Sequence, residues 1–369
     1  MPQRSPHIII SGGGTGGHIF PALAIARALK EFIPEADILF IGAKGKMEME
    51  KVPAAGFPIK GLWISGLRRE ISFDNLLFPF KVIHSILKAM TIIRKFKADV
   101  AVGVGGFASG PALRAASILG IPTLILEQNS YPGITNKMLG KSAKKICVAY
   151  EGMDKYFPAD KIILTGNPIR KDVIDIEGKR QEAGKFFQLD PAKQTVLVVG
   201  GSQGALSINR CIRNILPEFK EKETQVIWQT GVNFKGQALA ASENSGCKDV
   251  RVVDFIQRMD LAYAMSDVVI SRAGAIAIAE LSAVGKPVIF IPLPTAAEDH
   301  QMKNARSLAE RGAALVLHDK EAGEKLAGTL FGLLEDTNKQ EELSSEIRKF
   351  AIYDADKKTA EEIIKLMRR

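Results

Sequence analysis

Cysteine is scarce in this chain of 369 residues. Its three cysteines, Cys147, Cys211 and Cys247, lie far apart and in no spacing that would hold zinc. They read as small buried residues of a reducing compartment. Long hydrophobic runs are missing as well. The apolar residues that follow "MPQRSP" are too few for a signal-peptide core. The most apolar later region, Leu76 to Ile93, is interrupted by Pro79, Lys81, His84 and Lys88, short of the roughly 20 apolar residues that a bilayer span requires. The expectation is a chain that is neither exported nor membrane-spanning. No Asp-x-Asp follows a central strand, and the "DAD" at 354–356 falls in a charged C-terminal helical region, so a catalytic divalent metal is disfavoured.

The composition, 46% hydrophobic and 25% charged, is that of a globular protein, and the length predicts two domains. Charge is unevenly divided. Residues 1–167 carry 21 Lys and Arg against 12 Asp and Glu, whereas residues 168–369 carry 29 of each. The basic first half is suited to an anionic surface or ligand.

Short β-rich apolar runs alternate with helical patterns, which predicts βαβ units and parallel sheets. In the first half the strands are expected at 7–11, 37–43, 58–64, 99–105, 122–128 and 144–150. In the second half they are expected at 195–201, 224–230, 250–256, 268–274, 287–293 and 313–319. Each half opens with a strand, a glycine-rich turn and a helix. The segment "LTGNPIRKDV", 164–173, reads as a hinge. Two such sheets facing a cleft would bind ligands at the carboxyl ends of their strands.

The first turn, "GGGTGGH", contains Gly12-x-Gly14-x-x-Gly17, the spacing of a dinucleotide fingerprint. That fingerprint also needs an acid at the end of the second strand to accept ribose hydroxyls, but "LFIGAKG" ends in Lys44. NAD and FAD are therefore not expected, and no cofactor is. The turn still suits a phosphate or pyrophosphate, because small residues let amides approach and a helix N-terminus adds positive charge. Thr15, Gly16, Gly17 and His18 lie at its edge.

Seven stretches in order, "GGGTGGHIFPALA", "GGFASGP" 105–111, "EQNSYPGITNK" 127–137, "GNPIR" 166–170, "GGSQGA" 200–205, "SRAGAIAIAE" 271–280 and "EDHQMKNA" 298–305, resemble the successive motifs of the MurG family. The resemblance implies the GT-B fold, an α/β architecture of two Rossmann-like parallel-sheet domains with a cleft between them. It assigns acceptor binding and membrane association to residues 1–167, and UDP-N-acetylglucosamine to residues 168–369. The implied reaction is an inverting, metal-independent transfer of N-acetylglucosamine to the 4-hydroxyl of undecaprenyl-pyrophosphoryl-N-acetylmuramoyl-pentapeptide. The implied location is peripheral, on the cytoplasmic face of the cell membrane. Other cell-wall enzymes are further expected partners, and nucleic acid is not one.

On the donor side, amides near Gly274, Ala275 and Ile276 open a helix after a strand and suit a diphosphate. Ser202 and Gln203 offer further donors from the second glycine turn. Arg170 suits the diphosphate from beside the hinge. By resemblance, Glu280 binds the ribose hydroxyls, Ile256 holds uracil through its backbone, and Gln301 and Asn304 meet the sugar. Inversion needs one general base. His18 is the leading candidate, Glu127 competes with it, and Asn129 is placed to orient a sugar. Segment 73–97 combines Lys81, Lys88 and Lys95 with Leu76, Phe80, Ile83, Leu87 and Met90, an interfacial pattern for anionic lipid. The same apolar face would also serve an ordinary crossover helix packed on its own sheet. A UDP-N-acetylglucosamine 2-epimerase and a catalytically silent nucleotide-sugar-binding protein are the competing functions.

Overall fold

The computed structural model of the protein describes residues 5–66, 77–201 and 203–367. The chain forms two compact units, Met1–Ile169 with Ile352–Arg369, and Arg170–Ala351. The change of unit at 169–170 falls within the segment expected to be a hinge.

Among the described residues the first unit holds seven strands, in the spatial order β3-β2-β1-β4-β5-β6-β7. They are β1 (His7–Ser11), β2 (Asp37–Ala43), β3 (Ile59–Leu62), β4 (Val100–Gly103), β5 (Thr123–Glu127), β6 (Lys145–Val148) and β7 (Ile162–Leu164). Every pairing is parallel. A parallel sheet is covered on both faces, which is why "III" in β1 has no polar alternation. Ile8 and Ile10 meet the core under α1 (Gly16–Phe32), while Ile9 points to the opposite cluster with Ala112 and Ala115 of α4 (Ser109–Ile118). β7 was not among the expected strands, because its three residues carry too little pattern to separate it from the hinge.

The second unit holds six parallel strands in the order β10-β9-β8-β11-β12-β13. They are β8 (Thr195–Val199), β9 (Gln225–Gln229), β10 (Val250–Val253), β11 (Val268–Ser271), β12 (Val288–Phe290) and β13 (Leu315–Val316), each inside an expected strand. Both sheets reverse their strand order once, between β1 and β4 and between β8 and β11. Register places Ser11 beside Gly103 and Val199 beside Ser271, so at each reversal two loops leave the sheet side by side. Such switch points are where doubly wound sheets bind ligands.

The C-terminal helices separate. Thr337–Arg348 remains in the second unit, whereas the last helix, Ala355–Met367, returns to the first and fills the core beside α1 with Ala360, Ile363 and Leu366. Gly166, where the chain leaves the first unit, has φ +81°, and a Cβ there would lie 2.7 Å from Cβ of Ile352, where it comes back.

Between β3 and β4 runs α3 (Phe78–Phe96), the crossover that carries the expected lipid-facing pattern. Its apolar residues divide between two faces. The buried positions are Lys81, Ser85, Ala89 and Ile93, one face at four-residue spacing. Phe78, Ile86, Met90 and Phe96 pack half-buried against the core, whereas Phe80, Ile83 and Leu87 are 69%, 59% and 59% exposed and point away from it. The expected row of three lysines is therefore corrected. Lys81 is buried with its ammonium 5.5 Å from the Trp63 ring centroid, and half-buried Lys88 donates to the Gly61 carbonyl at 2.9 Å. Lys95 is exposed, together with Arg94 and Lys97. Met90 packs on the core, and Leu76 lies outside the described residues.

Candidate active site

The first-unit switch point is built around the glycine turn that joins β1 to α1. Gly13 and Gly14 have φ +153° and +87°, and a Cβ on Gly13 would lie 2.3 Å from the Glu48 carboxyl group. Glu48 opens α2 (Glu48–Ala54) and has no exposed surface. Its Oε2 accepts the Gly14 amide at 2.9 Å and its Oε1 accepts the Ala43 amide, also at 2.9 Å. An acid thus does reach the end of β2, from five residues beyond it, but it binds backbone. A carboxylate of the protein joins the glycine turn to β2 where a dinucleotide site would use its acid for ribose. The Gly14 amide is thus engaged by the protein's own carboxylate. Sequence reasoning missed Glu48 because it searched for the acid only at the end of β2.

His18 is half-buried in that first turn, and exposed Thr15 is its N-cap, with Gly16 and Gly17 between them. His18 Nδ1 lies 3.0 Å from the Val104 carbonyl oxygen, in the loop that follows β4. A carbonyl only accepts, so Nδ1 is the donor of this bond, and in the neutral form of the ring Nε2 is the acceptor nitrogen. The two loops are further tied by Ser109 Oγ, which donates to the Ser11 carbonyl at 2.8 Å.

Glu127, the competing base, is 2% exposed at the end of β5. Both of its oxygens are engaged. Oε1 accepts the Asn129 amide at 3.0 Å and Asn129 Nδ2 at 3.2 Å, and Oε2 accepts Nδ2 of Asn136, in α5 (Ile134–Gly140), at 2.8 Å. Burial raises its pKa and these hydrogen bonds oppose the rise. The arrangement fixes the 127–136 loop and with it Asn129.

At the second switch point, helix Ala275–Val284 starts directly after β11 with Gly274 as its N-cap. Glycine has no side chain to cap the first helical amides, and no acid stands in the first turn to offset the positive helix end. Gln203 is exposed in the turn after β8, and Ser202 lies outside the described residues. Beneath these loops sits Arg272, which sequence reasoning did not single out. Its Nη1 donates to the carbonyls of Ile291 and Pro292 at 2.8 and 3.1 Å and pairs with Asp319 at 2.5 Å, and Nη2 donates to Ser207 Oγ at 2.7 Å. One guanidinium therefore joins the ends of β11, β12 and β13 to the helix after β8.

Glu280 is half-buried, and burial pushes its pKa up to about 7 against the opposing charge of Arg170. Tyr263 Oη donates to Glu280 Oε2 at 3.4 Å. Arg170, Tyr263 and Glu280 thus come together from three elements far apart in sequence. The Ile256 amide donates to Gln229 Oε1 at 2.9 Å, so that donor is engaged within the protein. The expected pair of sugar-facing amides also divides. Half-buried Gln301 accepts the Leu293 amide at 3.0 Å, whereas Asn304 is completely buried beside Ala305 and Leu308 on the inward side of the helix.

Two doubly wound units with paired loops at their switch points define the GT-B fold, and comparison with solved structures agrees. Acinetobacter baumannii MurG superposes with a TM-score of 0.79 at 28% identity, over 98% of this chain and 99% of that one. The UDP-GlcNAc 2-epimerase of Neisseria meningitidis shares the fold, with a TM-score of 0.70 at 14% identity over 98% of this chain and 100% of that one. Residues 8–148 match the glycosyltransferase family 28 N-terminal domain, and residues 195–359 match the glycosyltransferase family 28 C-terminal domain. A Flavobacterium psychrophilum protein named UDP-N-acetylglucosamine--N-acetylmuramyl-(pentapeptide) pyrophosphoryl-undecaprenol N-acetylglucosamine transferase is 52% identical over 359 residues, 97% of each chain. This chain belongs to the MurG family of glycosyltransferases.

Proposed function

We propose that the protein transfers N-acetylglucosamine from UDP-N-acetylglucosamine to the 4-hydroxyl of undecaprenyl-pyrophosphoryl-N-acetylmuramoyl-pentapeptide, with inversion. The acceptor is the ligand of the first unit and the donor that of the second. The observation that carries the chemistry is the bond from His18 Nδ1 to the Val104 carbonyl, which leaves Nε2 as the basic nitrogen at the first switch point.

In the reaction, the acceptor 4-hydroxyl attacks the anomeric carbon from the face opposite UDP and loses its proton to His18 Nε2. The bond to the UDP β-phosphate oxygen breaks, and the leaving diphosphate gathers negative charge. The amides near Gly274, Ala275 and Ile276, the turn containing Ser202 and Gln203, and Arg170 are assigned to that charge. Glu280 takes the ribose hydroxyls, the backbone at Ile256 faces uracil, and Gln301 with Asn304 form the sugar-selecting segment. Thr15, Gly16 and Gly17 meet the acceptor, whose pyrophosphate faces the first turn of α1. Glu127 holds Asn129 in place for the reacting sugars, a role its occupied oxygens fit better than that of base.

Phe80, Ile83 and Leu87, with Arg94, Lys95 and Lys97 at the other end of α3, support peripheral attachment to an anionic cytoplasmic membrane face. Among the described residues no helix is long and apolar enough to cross a membrane.

The test is to incubate the protein with radiolabelled UDP-N-acetylglucosamine and the lipid-linked acceptor. Label entering the lipid fraction is the expected result. A preparation that binds UDP and leaves the lipid unlabelled overturns the reading.

A further inference from the structure

We propose that Gln229 is a positioning residue for the donor nucleotide, whose side-chain amide couples the loop of the phosphate contacts to the loop that faces the base. The inference rests on the second unit being the UDP-N-acetylglucosamine site.

Gln229 is the last residue of β9 and only 2% exposed. Its Nε2 donates to the Gly201 carbonyl at 2.8 Å, and its Oε1 accepts the Ile256 amide at 2.9 Å. One planar group thus spans the turns that follow β8 and β10, the two neighbours of β9 in the sheet. A carboxamide offers a donor and an acceptor side by side on one planar group and stays uncharged at every pH, which suits the side chain to this geometry.

A second observation couples the same elements independently. Gly204 and Gly231 have φ +77° and +75°, and their backbones abut. A Cβ on Gly204 would lie 1.9 Å from the Thr230 carbonyl oxygen, and one on Gly231 would lie 2.1 Å from that of Gln203. Asn209 Nδ2 donates to the Thr230 carbonyl at 2.8 Å and Asn209 Oδ1 accepts from Trp228 Nε1 at 2.9 Å, bracing the end of β9 from below. The phosphate turn is therefore seated on β9, and Gln229 carries that seat across to Ile256. Without the carboxamide the two loops move independently, and the nucleotide has to order them when it binds.

Calorimetric titration of UDP into the full-length protein, with steady-state kinetics in both substrates, tests the coupling. Gln229→Ala is expected to raise the UDP Kd and the donor KM by about five- to thirty-fold. The acceptor KM and the kcat at saturating donor are expected to stay within about twofold of wild type. Gln229→Glu preserves size and exchanges the N–H donor for an oxygen facing the Gly201 carbonyl. It is expected to weaken UDP at least as much, and it serves in place of the alanine variant should that fail to fold. Unchanged UDP affinity in a folded variant overturns the inference, as do equal losses in both KM values. Tighter UDP binding also overturns it, by showing that Gln229 competes with the base for the Ile256 amide. Wild-type protein that binds no UDP removes the donor-site reading and this inference with it, an outcome distinct from wild-type binding that the variants leave intact.

Discussion

Glu48 and Gly14, separated by 34 residues, are joined by a 2.9 Å hydrogen bond from the glycine amide to the buried carboxylate. The same side chain holds the Ala43 amide at the end of β2. This one residue explains how a Gly-x-Gly-x-x-Gly turn on a Rossmann-type sheet is redirected. The protein's own carboxylate ties that turn to β2 and stiffens the loop.

Glu48→Ala leaves two amides without their partner and should lower the stability of the protein by about 2–4 kcal/mol. Urea denaturation followed by circular dichroism measures the change. Glu48→Gln keeps the volume but turns one N–H towards an amide, and it should lie between wild type and the alanine variant. An unshifted midpoint for Glu48→Ala would remove the tether from the account of the loop.

His18→Ala should reduce kcat by about 10²–10⁴ with little change in the KM for UDP-N-acetylglucosamine, as expected for loss of a general base. Glu127→Gln retains an acceptor for the Asn129 amide and should cost much less. The reverse order of losses in single-turnover transfer would move the base to Glu127.

Donor binding should depend on the ionisation of Glu280, whose pKa is raised to about 7 by burial. A folded-state pKa above the ordinary carboxyl value means that ionisation costs the fold stability as pH rises through about 7. Ribose hydroxyls donate to the ionised form, so the affinity for UDP-N-acetylglucosamine should rise with pH across that range. The diphosphate of the sugar nucleotide titrates far below it and adds no slope. Glu280→Gln should flatten the profile in calorimetric titrations between pH 6 and 8, values chosen to bracket about one unit either side of the group; a wild-type profile that is already flat would contradict the assignment.

Replacing Phe80, Ile83 and Leu87 together by Ser should release the protein from vesicles containing anionic lipid while leaving its fold intact, because these side chains are largely solvated already. At about 1.5–3 kcal/mol per apolar side chain buried, the partition coefficient should drop by at least 100-fold. Co-sedimentation measures it, and retention of the triple variant on the vesicles would sink the lipid-facing reading of α3.

Much of the architecture was legible because parallel strands covered on both faces leave a local trace, short apolar runs without alternation. That trace located the two sheets and the glycine turns at their switch points. It failed at β7, which is too short to carry a pattern, and for the final helix, whose own residues do not say which unit they complete. For α3 it left two readings open. Helical spacing identified an apolar stripe there, but nothing local distinguishes the stripe that meets the sheet from the one that faces outward.

The site divides along the same line. His18, Glu127, Gly274 and Glu280 stand beside strand ends or glycine turns, and neighbours in sequence mark them. Glu48, Gln229 and Arg272 act through bonds to backbone groups tens of residues away, and no spacing encodes those.

The sequence by itself determined the two-sheet plan, the basic character of the first half and the family, since periodicity, charge and motif order are properties of the chain. Only the tertiary structure decided which amides are already satisfied, which face of α3 is buried and which nitrogen of His18 is protonated. Each of those depends on a hydrogen bond or a packing contact between segments that meet only when the chain is folded.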